Sequence, residues 1–474
     1  MATAAQDGGG TIGGHPRGLA YLVFTELWER FSYYGMSALL ALYMVKQLLL
    51  PGHAENVLGL AALRDLFEFR GPMSNLAFAS LIFSWYGGLV YFTPILGGLI
   101  ADRWLGAKRT VVIGAVLMMA GHLAMSFDAS FLIALGLLVL GSGCLKGNIS
   151  TQVGTLYPAA AESLRARGFT IFSTGINIGA VIGPLATGAV AAVYGWHAGF
   201  ALAAVMMLVA LIVYLAGQRH LPDNRGPAAE RATLPPLTAQ EWRRVRALLA
   251  VIALTILPSL SFMMIGGIGI IWIDQSVNLA TPVGSVPVAW FNSIDSLASI
   301  IAAPLLIALW AQQLRGGREP GSLTKIAIGS GCVGLSSLLF AAGSYLSPLP
   351  GSVWAGWALA GYVGMGFAFM WYWPVLLALV SSLAPAKVNS TMMGGAFLAL
   401  FVGVTAMGWV GSFYDQMSPA AFWTLNAAIA LAGALLVFAV RIPLARALEL
   451  DGNGNRPPSP QWEEGPGGAI TADR

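Results

Sequence analysis

The stretch TELWERFSYYG, residues 25–35, interrupts a run of apolar residues, with GLAYLVF before it and MSALLALYMV after it. The run is long enough to cross a hydrocarbon layer of about 30 Å. It nevertheless carries Glu26, Glu29 and Arg30, and each charge held at mid-bilayer costs about 2.5–3.5 kcal/mol on insertion scales. Glu26, Glu29, Arg30, Tyr33, Tyr34 and Ser37 follow at i, i+3, i+4, i+7, i+8 and i+11, which sets them on one side of a helix. A polar stripe on an otherwise apolar helix faces protein or a water-filled cavity, not lipid. One guanidinium does not neutralise two carboxylates, so at least one Glu is expected to titrate and is a candidate proton carrier. The alternative is a buried ion-pair network that only locks helices together.

The rest of the chain is of one kind with this segment. Of 474 residues, 57% are hydrophobic and 10% charged, against about 25% charged in soluble domains, which marks a polytopic membrane protein. Apolar segments recur at 18–46, 76–101, 110–127, 130–157, 168–191, 196–217, 246–273, 288–312, 324–346, 353–381, 390–412 and 419–440. The fold class expected is therefore an all-α membrane protein of about twelve transmembrane helices in two six-helix bundles. The bundles would occupy 18–217 and 246–442, with a polar Pro- and Arg-rich linker at 218–245 and disordered tails at 1–17 and 443–474. No cleavable signal is read in the first residues.

Twenty of the 25 Lys and Arg fall in the tails, the linker and the alternate loops on their side, whereas Lys46, Arg64 and Arg70 alone lie opposite. By the positive-inside tendency both termini are cytoplasmic, in a bacterial-type inner membrane. Charges so distributed explain a pI near 9.1 without nucleic acid. Cys144 and Cys332 lie in apolar runs and read as packing residues. His122, in MAGHLAM, reads as a satisfied packing histidine. No segment carries a nucleophile–base pair or metal-ligand spacing, so neither an enzyme nor a cofactor is expected.

Two six-span bundles joined by a cytoplasmic linker describe the major facilitator architecture, whose substrate cavity lies between the bundles near mid-membrane. GGLIADRWLGAKR (97–109) resembles the loop between the second and third spans of that superfamily. The fourth span, LGSGCLKGNISTQVGTLY, holds Lys146 about ten residues inside an apolar segment, too deep for easy snorkelling and suited to balance the second Glu.

Three stretches together are similar to the proton-dependent oligopeptide transporter (POT) family: ExxERFSYYG in the first span, LKGNIST in the fourth and FTIFSTGINIGAVIGPL (169–185) in the fifth. ALRDLFEF, YGWHAGF, EWRRV, VAWFNS and the LAPAKV–MMGG stretch extend the resemblance along the chain. It implies a proton-coupled symporter importing di-/tripeptides or peptide-like compounds by alternating access, with the proton as coupling ion and membrane lipid as surroundings, acting as a monomer. It implies that Glu26 and Glu29 take part in proton coupling, and that Arg30 and Lys146 pair with them and engage the substrate carboxylate. Tyr33, Tyr34 and Tyr91 would line the cavity, and Asn177 would hydrogen-bond the peptide.

The departures from that pattern gather in the second half. Met263 stands where the family has an acid in the seventh span, and Ser37 where it has the partner Arg. Losing both halves of a buried pair is far cheaper than losing one. Phe369 and Trp373, in FMWYWP, replace an acid and a serine of the tenth span, and Ser173 replaces a tyrosine of the fifth. Asp295 in WFNSIDSLASI occupies a usual Asn position; it is either a capping or packing residue or a cavity-facing group that binds substrate. These departures leave open a relative specialised for a modified peptide or other amphoteric metabolite, or an exporter. A non-transporting peptide sensor is the third reading, disfavoured by the retained charges.

Overall fold

A computed structural model describes residues 11–158, 161–222, 236–282, 284–385 and 387–450. Residues 1–10, 223–235 and 451–474, which belong to the expected tails and linker, lie outside the described residues. Among those described, eleven helices are long and apolar enough to cross a membrane. The first span, Arg17–Tyr43, is the twelfth; its charges and tyrosines dilute an otherwise apolar helix. Lipid offers backbone groups no partner, so each apolar run closes its own hydrogen bonds as a helix.

The spans that follow are Asn75–Ile100, Ala107–Ala124, Phe131–Thr155, Glu162–Tyr194 and Trp196–Gly217 in the first half. The second half continues with Phe291–Arg315, Ser322–Leu346, Ala355–Leu383, Asn389–Gly411 and Pro419–Ala447 as spans 8 to 12. Spans 5 and 12 outrun their apolar cores. The 29 residues of span 12 reach about 44 Å at 1.5 Å per residue, so its last turns, with Arg441 and Arg446, leave the hydrocarbon.

The seventh span departs most from expectation. It is three helices, Ala239–Leu254, Ile256–Met263 and Ile268–Ser276. The first begins inside the stretch read as linker because Thr238 and Glu241 form a capping box: the Glu241 N–H donates to Thr238 Oγ1 at 3.2 Å, and the Thr238 N–H to Glu241 Oε2 at 2.8 Å. The helix breaks at Met264–Gly266, where Gly267 turns to φ −106°, ψ −87°, and the Phe83 ring of span 2 packs against Gly266 and Gly267.

Within the first half, span 1 packs on spans 5 and 6, and span 4 on spans 2 and 3. In the second half, span 9 packs on spans 10 and 12, and span 8 on span 10. Lipid tails are as apolar as leucine, so close approach rather than water exclusion holds such helices together. A Cβ at Gly179 or Gly183 of span 5 would collide with span 1, at the carbonyl oxygens of Leu27 and Phe31. The second half has an aromatic core, Trp272–Phe340–Trp423, with centroids 5.1 and 4.7 Å apart, and Trp272 Nε1 donates to Ser344 Oγ at 2.9 Å.

The halves meet through spans 2 and 11 and through spans 5 and 8. Four polar contacts between described residues join them, all toward the side away from the termini. Ser80 Oγ donates to the Gly408 carbonyl at 3.2 Å, Ser293 Oγ to Val181 at 2.7 Å and Trp290 Nε1 to Leu185 at 3.0 Å. Lys46 Nζ pairs with Asp274 Oδ1 at 2.5 Å. These contacts tie the two bundles together on that far side.

Candidate functional site

The stripe of span 1 turns inward. Glu26, Glu29 and Arg30 are 3%, 0% and 6% exposed, so none of the three charges meets lipid. Arg30 Nε donates to Glu26 Oε1 at 2.8 Å and stands 2.6 Å from Glu29 Oε2. Glu26 Oε2 and both oxygens of Glu29 accept no aligned hydrogen bond from the described residues. Arg30 thus offsets charge for both carboxylates while leaving acceptor capacity on each. A buried pair in this condition is costly to strip of one member, about 3–5 kcal/mol.

Lys146, expected to balance the second Glu, makes no direct ion pair within 4.0 Å with a described carboxylate and is set against aromatic rings. Its Nζ lies 4.3 Å from the centroid of the Tyr33 ring and 5.5 Å from that of Tyr91. The Tyr33 ring also receives Arg30 Cζ at 5.7 Å. Two cations that repel each other are held beside one electron-rich ring.

One turn further from the termini a cavity of about 220 Å³ opens between the halves. Span 1 lines it with Tyr33, Tyr34 and Ser37, span 2 with Phe83, Tyr86 and Tyr91, and span 5 with Asn177. From the second half come Phe262, Met263 and Gly266 of span 7, Asp295 of span 8, Phe369 of span 10, and Val404 and Met407 of span 11. Five of the expected residues, Tyr33, Tyr34, Tyr91, Asn177 and Asp295, therefore share one cavity. Glu26, Glu29, Arg30 and Lys146 lie on its terminal side, outside the lining. Ser37 and Met263 both face it. Among the described residues no cation pairs with Asp295 within 4.0 Å.

Several lining residues escaped the sequence reading. Asn292, Ser296 and Ser299 join Asp295 in the wall. They stand at i, i+4 and i+7 with Asp295 at i+3, the same spacing that exposed the stripe in span 1, so the signal was present. Tyr86 and Phe262 carried no such mark. His122 is a correction: it is fully buried, but neither ring nitrogen has a hydrogen-bond partner among the described residues, so it packs without being satisfied. Cys144 and Cys332 are free thiols.

The arrangement can take a small molecule with separated charges, with Arg30 and Lys146 beside two carboxylates toward the termini and the Asp295 carboxylate in the opposite half. Comparisons with known proteins agree on what kind of molecule this is. A sequence profile described as "POT family" matches residues 108–234 and 226–424, together about two thirds of the chain. The chain is 28% identical to a di-/tripeptide transporter of Lactococcus lactis subsp. cremoris, over 92% of its own length and 97% of the relative's. It is similar to a mutant peptide transporter POT in complex with alafosfalin, with a TM-score of 0.80, 29% identity, and 92% and 97% of the two chains covered. A POT family transporter in complex with 5-aminolevulinic acid matches at a TM-score of 0.78 and 25% identity, with 92% and 98% covered. The two-bundle membrane fold is that of these transporters, and this chain belongs to the POT family, a family of transporters and not of enzymes.

Proposed function

We infer that the protein is a proton-driven symporter that imports di-/tripeptides or peptide-like amphoteric molecules by alternating access of two six-helix bundles, 18–217 and 246–442. The linker 218–245 and the tails 1–17 and 443–474 lie in the cytoplasm, and the chain acts as a monomer surrounded by lipid in a bacterial-type inner membrane. Sidedness rests on the Lys and Arg excess of the terminal side. The relative named as a di-/tripeptide transporter, and the similar structures holding alafosfalin and 5-aminolevulinic acid, support a peptide-like substrate.

The observation that carries the reading is the buried triad: two carboxylates share one guanidinium, with unfilled acceptor positions, next to a cavity. Glu26 and Glu29 exchange the coupling proton. Arg30 and Lys146 attract the substrate carboxylate, which competes for them and so links binding to protonation. Tyr33, Tyr34 and Tyr91 form the wall, Asn177 offers a neutral hydrogen-bonding group, and Asp295 receives the ammonium.

The test is uptake into proteoliposomes under an imposed inward proton gradient. Glu26→Gln and Glu29→Gln each lower gradient-driven accumulation at least about 100-fold, while substrate exchange without a gradient persists in part. Accumulation by both variants at the wild-type level excludes the proton assignment. A second reading, a relative specialised for a modified peptide or an exporter, is favoured by one observation. Phe369 brings an apolar ring into the cavity where the family resemblance leads one to expect an acid.

A further inference from the structure

Phe262 and Phe369 lie with ring centroids 5.0 Å apart and planes 25° from parallel, and Trp373 continues the stack beyond Phe369 at 6.5 Å and 25°. Tyr372 meets Phe369 edge-on, at 5.8 Å and 84°. The group is therefore a braced aromatic surface and not a loose ring. Phe262, Phe369 and the intervening Met263 face the cavity and present no charge to it.

Asp295 lines the same cavity from span 8. Gly366 sits one turn before Phe369 in span 10, and a Cβ there would collide with the Asp295 carbonyl oxygen. Ser299, one turn beyond Asp295 in span 8, donates Oγ to the Gly366 carbonyl at 2.9 Å. Two helix backbones in contact thus fix spans 8 and 10 against each other, and the carboxylate and the rings open into the same cavity. A substrate held by its amine at Asp295 shares a cavity of about 220 Å³ with the Phe262–Phe369 surface.

We propose that Asp295 together with Phe262, Met263 and Phe369 forms a specificity pocket at the amine end of the substrate, taking molecules with an aromatic ring on the carbon next to the ammonium. Stacking on a preformed pair of rings adds to apolar contact for a flat substituent. A small substituent leaves the surface unfilled, and a charged one enters it without a partner, which is costly. The proposal rests on the peptide-like reading above and adds which residue of the peptide is selected.

Binding of unlabelled competitors to the full-length protein in proteoliposomes tests it. The probes are phenylalanyl-alanine, alanyl-phenylalanine and alanyl-alanine, with the free amino acids phenylalanine and alanine as a non-peptide pair. Phenylalanyl-alanine is expected to compete about tenfold better than either of the other dipeptides. In Phe369→Ala that ratio falls to about two. Phe369→Leu, which keeps most of the volume and covers the case of a poorly folded alanine variant, gives an intermediate ratio.

Equal competition by phenylalanyl-alanine and alanyl-phenylalanine, or a ratio untouched in both variants, overturns the pocket and leaves the peptide reading standing. Failure of all three dipeptides, with phenylalanine still preferred over alanine and the preference lost in Phe369→Leu, supports the pocket and removes the peptide. Failure of every probe overturns both.

Discussion

Spans 1 and 4 bring Glu26, Glu29, Arg30 and Lys146 to the terminal side of the cavity, whereas spans 7, 10 and 11 line it with Phe262, Met263, Phe369, Val404 and Met407 and no charge. The second half's ionisable contribution to the lining is Asp295, on span 8, and it has no cationic partner within ion-pairing distance among the described residues. In the first half Arg30 is shared by Glu26 and Glu29, and Lys146 stands beside the Tyr33 and Tyr91 rings. In the second, one carboxylate waits beside an apolar surface, and its partner is left for the substrate to supply. On the function proposed above, coupling belongs to the first half and substrate choice to the second, so each is open to change without the other.

The largest effect expected comes from carrying the first half's chemistry across the cavity. Ser37→Arg puts a cation among apolar groups facing Met263, and an unpaired buried charge costs about 3–5 kcal/mol, enough to lower uptake at least about 100-fold. Met263→Glu in the same protein recovers part of the loss. If the two changes only add their damage, Ser37 and Met263 do not act across from each other, and the two walls are independent at this point.

A smaller effect sharpens the contrast at the first half's end. Amidating the C-terminal carboxylate of a peptide weakens competition about 30-fold, since it leaves a buried cation unanswered. Lys146→Ala reduces the difference between free and amidated peptides; equal competition by both forms in the wild type removes Arg30 and Lys146 from carboxylate recognition.

The mildest change falls on the second half's lone acid. Asp295→Asn lowers affinity for free-amine peptides about tenfold and for N-acetylated ones less than about threefold, measured in the same competition format. A wild type that prefers the N-blocked compounds, with no response to Asp295→Asn, assigns the amine elsewhere and favours the specialised-metabolite reading.

Much of this was legible in the sequence because lipid leaves the backbone little choice: an apolar run of sufficient length is a helix, and a polar stripe on it points inward. The span count and the cavity-facing Tyr33, Tyr34 and Asn177 follow from that rule and from the family's motifs. The asymmetric break of span 7 does not, since the glycines at 266 and 267 turn where Phe83 of the other half packs on them. Lys146 was expected to balance the second Glu; the rings of Tyr33 and Tyr91 beside it were not foreseen, because helical spacing gives a side chain's face and not what another helix sets against it. Phe369 and Trp373 registered as lost polar groups; that Phe369 stacks with Phe262 of another span is a tertiary fact. The polar repeat around Asp295 was simply under-read.

The tie between the bundles on the far side sets an energy scale for the working cycle. Three of its four polar contacts are neutral side-chain donors resting on backbone carbonyls, of Gly408, Val181 and Leu185. Each is worth about 1 kcal/mol net, and the half-exposed Lys46–Asp274 pair adds at most about 1 kcal/mol. One elementary charge crossing a potential of 100 mV releases about 2.3 kcal/mol. The polar part of the latch is therefore of the same size as the work available from one or two protons, strong enough to hold a resting state and weak enough for the membrane potential to reverse. Because the acceptors belong to the backbone, substitutions at those three positions leave the acceptor oxygens in place. The latch is consequently adjusted through its donors, Ser80, Ser293 and Trp290, where a single hydroxyl more or less would bias which way the empty carrier faces.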